Sequence, residues 1–264
     1  MTAPLLTRPA ALLPTANPAV KILAVVVVVV AAFAAIDPVT PALLLIGELG
    51  LLPLSGSSPR LLALRAWPVL VGAAGVGLAN ALLGTGGGRL LVDAGPITVT
   101  SGAAQAGAAI ALRVLAIALP GVLVLAVTDP VDLADSLVQQ WHVPARFAYG
   151  TLAAVRLLPL LSAERRTIAL ARRARGVDAG HNPVVAIRLL VGAGFALLVG
   201  AIRRGTRLAA AMDARGFDAG VRRTVARPQR VGRRDVGLVL GAVALGLLAT
   251  TLSLALGSWQ PLFG

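Results

Sequence analysis

The chain has 264 residues, of which 57% are hydrophobic and only 13% are charged, and its mean hydropathy is +0.86. An ordinary soluble domain is about half apolar and a quarter charged, so this composition excludes one. So much apolar surface also excludes a disordered chain. The 24 basic residues outnumber the 11 acidic ones and give a formal net charge of +13. The sequence therefore predicts a polytopic membrane protein with a basic region outside the membrane.

Several kinds of chemistry are excluded by the residues that are missing or rare. The chain has no cysteine, which rules out disulfides, thiolate metal sites and cysteine nucleophiles. Its two histidines, His142 and His181, do not supply a histidine-rich metal centre. The single lysine, Lys21, is not part of a Gly-Lys-Ser/Thr triplet, so the chain has no Walker ATPase site of its own. We expect no catalytic residue, no metal and no cofactor.

Five apolar segments approach the length of about 20 residues that a bilayer requires. In chain order they are 22–36, 39–54, 66–83, 103–127 and 236–256. Asp37-Pro38 is a turn signal, so the first two segments are predicted to form a tight transmembrane hairpin. A sixth run, 184–202, contains Arg188 and leads into Arg203-Arg204, and we interpret it as a buried or interfacial helix. The predicted fold is an all-α membrane protein with about five transmembrane helices.

The basic residues are concentrated in one region of the chain. Residues 128–235 hold 18 of the 24 basic residues, and cytoplasmic loops of membrane proteins are the ones enriched in Lys and Arg. The rule predicts a cytoplasmic N-terminus and an external C-terminus in the cell (inner or plasma) membrane. We therefore divide the chain into an N-terminal membrane region with four spans (1–127), a cytoplasmic region of long helices (128–235) and a C-terminal transmembrane helix (236–264).

A seven-residue sequence occurs twice in the cytoplasmic region. Ala-Arg-Gly-Val-Asp-Ala-Gly at 174–180 recurs as Ala-Arg-Gly-Phe-Asp-Ala-Gly at 214–220, with six of seven positions identical. Helix-favouring residues precede each copy, and Gly176 and Gly216 are placed where a terminating helix needs positive φ. Each copy is thus predicted to end a helix and to present one arginine. Capping alone explains one Arg-Gly pair but not the shared Asp-Ala-Gly that follows it.

Four other segments accompany the repeat: 17–21 (Asn-Pro-Ala-Val-Lys), 111–113 (Ala-Leu-Arg), 128–133 (Thr-Asp-Pro-Val-Asp-Leu), and 156–159 (Arg-Leu-Leu-Pro) with Glu164. Together with the two Ala-Arg-Gly motifs they resemble the transmembrane T component of energy-coupling factor (ECF) transporters, the EcfT/CbiQ family. The resemblance covers most of the chain. It departs from the family at Thr128-Asp129, where members often have Thr-Thr before the proline.

The resemblance implies a scaffold without catalytic activity. In that family, long cytoplasmic coupling helices end in the two motifs, whose arginines dock onto two ABC-type ATPase subunits, and the membrane region holds a substrate-binding S component. The resemblance therefore implies uptake of a micronutrient, either a vitamin or a transition metal, with the two ATPases, the S component and the lipid bilayer as partners. The docking residues that it implies are Ala174, Arg175, Gly176, Ala214, Arg215 and Gly216.

We also predict a polar pair inside the spans. Glu48 and Arg113 are ionisable residues in apolar segments, where such residues are costly unless partnered. Both lie about 15 Å from the predicted outer end of their helices, which permits a salt bridge. The alternative is that Glu48 faces polar groups or water and Arg113 serves a carbonyl of another helix.

Other classes of protein fit the sequence less well. The permease of a conventional ABC importer would carry one coupling loop, whereas this chain has two motifs. A lipid-metabolising phosphotransferase would need an Asp-x-x-Asp-Gly-x-x-Ala-Arg motif, which does not follow Asp129, Asp132 and Asp135. Nucleic acid is not an expected partner, because the adjacent spans favour lipid headgroups or an acidic protein surface as the target of the arginine pairs. The glycine run 84–89 has no lysine and is interpreted as an external loop.

Overall fold

The computed structural model describes residues 12–34, 37–56, 59–84, 86–94, 97–217 and 224–259, and most of them are helical. The all-α prediction is confirmed, with one short pair of strands as the exception. The helices are α1 (Leu12–Thr15), α2 (Pro18–Phe33), α3 (Val39–Leu51), α4 (Pro59–Leu83), α5 (Ser101–Val127), α6 (Pro130–Gln140), α7 (Ala145–Ala174), α8 (Pro183–Ala214) and α9 (Arg233–Ala255). A 3-10 turn over Leu52–Ser55 follows α3.

Several helices have the length and apolar composition of membrane spans. Within the described residues, four helices meet both requirements, over Leu62–Leu83, Ser101–Val127, Pro183–Ala214 and Arg233–Ala255. The apolar helices α2 and α3 are shorter, at 16 and 13 residues. Helix α8 thus qualifies by length and composition, so the structure does not decide between a span and the interfacial helix expected from the sequence.

The described residues divide into two compact units by their internal contacts. The motif unit is Leu137–Pro228, which contains α7, α8 and both Ala-Arg-Gly motifs. The membrane unit comprises the described residues before Leu137 and after Pro228, including α2 to α5 and α9.

Helices α2 and α9 run parallel in the membrane unit. Two hydrogen bonds show this direction, one between the starts of the two helices and one near their ends. Near their N-terminal ends, the Asn17 backbone N–H donates to Asp235 Oδ1 at 2.7 Å. Beyond the C-terminal end of α2, the Ser253 hydroxyl of α9 donates to Asp37 Oδ2 at 2.7 Å. Between these ends small and branched apolar residues form the core: Ala24, Val28, Ala32, Leu44, Leu45, Ala116, Ala242 and Ala249.

Helices α4 and α5 form an antiparallel hairpin with close backbone contact. At one end, Arg65 Nη1 donates to the Ala126 carbonyl at 3.4 Å. Towards the other end, a Cβ placed on Gly77 would lie 2.8 Å from the Gly107 carbonyl oxygen, so only glycine fits there. Small residues at such positions let transmembrane helices approach closely.

The strands β1 (Leu90–Ala94) and β2 (Ile97–Thr100) pair antiparallel between α4 and α5. The glycine run before β1 also makes ordered contacts, since the Gly102 N–H donates to the Gly87 carbonyl at 3.1 Å. The described part of the glycine run is in neither a helix nor a strand, as the loop interpretation expected, but the two strands after it were not predicted, although β-branched residues dominate β2.

Helices α7 and α8 of the motif unit pack antiparallel. Glu164 of α7 forms an ion pair with Arg204 of α8, and Arg172 near the end of α7 donates to the Leu189 carbonyl near the start of α8. Helix α7 continues through Pro159, which a helix can accommodate by bending.

Candidate functional site

The first Ala-Arg-Gly motif ends helix α7 in a tight, hydrogen-bonded turn. The helix stops at Ala174, Arg175 follows at φ −94°, and Gly176 adopts φ +74°. The N–H of Gly176 donates to the Arg173 carbonyl, and that of Val177 donates to the Arg172 carbonyl, both at 2.9 Å. This pair of bonds is the Schellman arrangement, which satisfies carbonyls that the helix leaves without partners and favours glycine at the left-handed position.

The second motif ends helix α8 in the same way. The helix stops at Ala214, Arg215 follows at φ −90°, and Gly216 adopts φ +72°. The Gly216 N–H donates to the Asp213 carbonyl at 2.9 Å, and the Phe217 N–H donates to the Met212 carbonyl at 3.0 Å. The prediction of two helix ends, each followed at once by an arginine and a glycine, is confirmed. The remainder of the second copy, 218–220, lies outside the described residues.

The two arginines are exposed and are not used within the described regions of the chain. Arg175 and Arg215 are both solvent-accessible. Among the contacts of the described residues, neither guanidinium forms a hydrogen bond or ion pair, whereas Arg172 and Arg204 on the same two helices hold α7 and α8 together. Arg175 and Arg215 are therefore available to a partner.

The two motifs lie at opposite ends of the α7–α8 pair. Phe217, directly after the second motif, packs edge-to-face on Tyr149 near the start of α7, with ring centroids 6.1 Å apart. Arg175 is at the other end of the same helix, 26 residues further along. At the α-helical rise this corresponds to about 39 Å. Two arginines in matching local geometry are thus held far apart by one pair of helices.

A buried polar cluster in the membrane unit joins three helix starts. Lys21 of α2 is only 1% exposed. The carboxylates of Asp132 in α6 and Asp235 in α9 interact electrostatically with its ammonium group. Asp235 accepts the backbone N–H of Asn17, and Gln229 donates to Asp132 at 3.4 Å. The sequence did not predict this cluster, although the segments 17–21 and 128–133 both carry part of the family resemblance. The two segments share one feature in the sequence: Lys21 and Asp132 each follow within three residues of a proline that starts a helix.

The structure does not bring Glu48 and Arg113 together. Both carboxylate oxygens of Glu48 are buried without a hydrogen-bond partner, and the ion pairs of the described residues do not include one between these two side chains. Equal depth in the membrane fixes only the position along each helix and not the side of the helix that carries the residue. Glu48 lies instead in the wall of a cavity that Lys21 also lines.

No cluster of three or more His, Cys, Asp or Glu side chains arranged to hold a metal ion occurs among the residues that the structure describes.

Comparison with known families agrees with the motifs. A family model described as cobalt transport protein, CbiQ, matches residues 10–225, which include both Ala-Arg-Gly motifs. That match covers most of the chain.

Individual relatives carry one common name, energy-coupling factor transporter transmembrane protein EcfT. The protein of Limosilactobacillus fermentum is 31% identical over 237 residues, covering 87% of this chain and 88% of its own. Those of Exiguobacterium sibiricum and Bacillus subtilis are 32% and 29% identical, each over 63% of this chain and 66% of their own. With these matches and the duplicated motif, the chain belongs to the EcfT/CbiQ family of ECF transporter transmembrane components.

Proposed function

We propose that this chain is the scaffold and energy-coupling subunit of an ECF-type ABC importer. It links two ABC-type ATPase subunits on the cytoplasmic side to a substrate-binding S component in the membrane, for the uptake of a vitamin or a transition metal. The chain itself performs no covalent chemistry, and ATP hydrolysis belongs to the partner subunits. The observation that carries the proposal is the pair of exposed arginines, each at a Schellman-type helix end, at opposite ends of the α7–α8 pair.

Arginine suits such a docking role for physical reasons. Its guanidinium stays charged and presents a rigid fork of donors, which fits carboxylates and backbone carbonyls in a buried interface. Arginine is also enriched among the few residues that dominate binding energy at protein interfaces. The glycine after each arginine fixes the helix end, so the side chain is presented from a defined position. One chain can then contact two ATPases in the same manner at two separate places.

The parallel course of α2 and α9 supports the proposed topology. In a five-span chain the crossings alternate, so the first span (α2) and the fifth (α9) cross in the same direction. If α8 also crossed the membrane, α9 would be the sixth span and would run opposite to α2. The hydrogen bonds Asn17–Asp235 and Asp37–Ser253 favour the five-span alternative. Residues 128–235 then lie in the cytoplasm between the four-span membrane region, residues 1–127, and the C-terminal span, residues 236–264.

Two other functions receive less support. The permease of a conventional ABC importer needs one coupling element per chain, which leaves one of the two matching motifs without a role. A lipid-metabolising enzyme needs several carboxylates at one site. Here Asp132 and Asp235 interact electrostatically with Lys21. Asp129 caps α6, because it accepts the Val131 N–H at 2.7 Å. These carboxylates have structural roles that explain them without catalysis.

Co-purification from membranes tests the proposal. The chain carrying both Arg175→Ala and Arg215→Ala should insert normally but retain much less ATPase, since loss of a desolvated charged anchor costs about 2–5 kcal/mol. Arg173→Ala combined with Arg207→Ala is the matched control, because both side chains are exposed on the same two helices outside the motifs. Unchanged ATPase retention and uptake in the first variant would refute the docking role.

A further inference from the structure

The two copies of the seven-residue repeat differ at one position, which is Val177 in the first copy and Phe217 in the second. This position directly follows the motif glycine, and its backbone N–H closes the Schellman turn in both copies. The surroundings of the two side chains differ. Val177 is 45% exposed, whereas Phe217 is half-buried and packs on Tyr149. The one difference between the copies therefore coincides with a contact at the second motif.

The first motif lies in the short connection between α7 and α8. Eight residues, 175–182, separate the last residue of α7 from the first residue of α8. A hydrogen bond orders this connection, since the Asn182 N–H donates to the Ala179 carbonyl at 2.9 Å. The chain itself therefore sets the position of Arg175 relative to both helices.

The second motif has no such connection to α7, because α8 is followed along the chain by α9. The ion pair of Arg204 with Glu164 lies ten residues before the end of α8, which is about 15 Å at the α-helical rise. Phe217 and Tyr149 instead join the end of α8 to the start of α7. Their ring centroids are 6.1 Å apart and the rings are inclined at 81°, an edge-to-face geometry that stabilises aromatic pairs beyond their burial.

We propose that Tyr149 and Phe217 are positioning residues for Arg215. The inference rests on the proposed docking function and adds that the two docking ends are built differently, one by a short loop and the other by an aromatic contact. Phe217 is two residues after Arg215 in the same hydrogen-bonded turn, so the packing of its ring fixes the backbone from which the guanidinium projects. An arginine on a fixed backbone loses less conformational entropy when it docks. Tyr149 and Phe217 thus strengthen ATPase binding through Arg215 and need no ATPase contact of their own.

Titration of the purified full chain with its ATPase tests the proposal in the Arg175→Ala background, where binding depends on the second motif. Phe217→Leu and Tyr149→Leu should each weaken binding about fivefold, the fold-change that corresponds to the loss of one aromatic pair. Tyr149→Phe keeps the ring and should bind like its parent. So should the matched control Phe147→Leu, since Phe147 is exposed two residues before Tyr149. In the Arg215→Ala background, where binding depends on the first motif, Phe217→Leu should have no effect.

Three results would overturn the proposal. One is unchanged binding by Phe217→Leu in the Arg175→Ala background. Another is an equal loss in both backgrounds, which would make the contact a general stabiliser of α7 and α8. The third is a loss in Phe217→Leu that Tyr149→Leu does not share, which would place Phe217 in the ATPase interface itself. Unchanged binding by Arg215→Ala alone would instead refute the docking function of the second motif, on which the inference depends.

Discussion

At the scale of single residues, the motif glycines define the helix ends that carry the two proposed docking arginines. Gly176 adopts φ +74°, and a Cβ placed there would meet no atom within 4 Å. The requirement for glycine is therefore conformational and not steric, because an L side chain in the left-handed region costs about 1–2 kcal/mol. The same reasoning applies to Gly216 at φ +72°.

Gly176→Ala should accordingly weaken ATPase retention without removing the arginine. The strain of about 1 kcal/mol favours other conformations of the helix end, and we expect roughly a fivefold weaker association. Titration of the purified chain with its ATPase measures this change. The control is Gly194→Ala, which is in the interior of α8 with open space around it and should leave association unchanged. An effect of Gly194→Ala as large as that of Gly176→Ala would show that the helix-end geometry is not the cause.

The sequence allowed both helix-end arginines to be predicted, because a repeat at a fixed spacing of 40 residues is visible without a structure. It did not reveal the buried cluster around Lys21. The partners of Lys21 are Asp132 and Asp235, which lie more than 100 residues further along the chain. Whether they come close to Lys21 depends on how α2, α6 and α9 pack. The pairing of Glu48 with Arg113 was predicted from depth alone, and the structure does not show it because depth does not determine the facing side of a helix.

At the scale of elements, the packing of α4 against α5 depends on two facing glycines. A Cβ on Gly77 would lie 2.8 Å from the Gly107 carbonyl oxygen, and a Cβ on Gly107 would in turn meet the Gly77 carbonyl oxygen. These are backbone atoms in regular helices, so the helices must separate to admit a methyl group.

The positions of most apolar helices could be predicted from the length of the apolar segments. The β1–β2 hairpin was missed because its strands are only five and four residues long.

Gly107→Ala should therefore destabilise the purified chain by about 1–3 kcal/mol, the usual cost of overpacking. Thermal unfolding in detergent, followed by circular dichroism, measures the change. Gly75→Ala is the matched control, since Gly75 is in the same helical hairpin but has open space around it. Equal melting temperatures for Gly107→Ala and the wild-type chain would contradict the close contact of α4 and α5.

At the scale of the whole molecule, the proposal requires a particular topology. Reporters fused after Gly180 and after Gly220 should both read cytoplasmic, and a reporter after Gly264 should read external. The basis is the accumulation of basic residues in 128–235 together with the parallel course of α2 and α9. Opposite locations for the Gly180 and Gly220 fusions would show that α8 crosses the membrane.

The central claim is that one chain engages two ATPase subunits through two separate helix ends. The chain has no cysteine, so Arg173→Cys and Asp213→Cys place one thiol beside each motif without altering either docking arginine. Both side chains are exposed in the last turn of their helices. Each thiol carries a short photo-crosslinker in the assembled complex. The complex is irradiated, and the mass of each cross-linked product is measured. We predict that each single variant captures one ATPase and the double variant captures two on one chain. A double variant that never captures more than one ATPase would contradict the account.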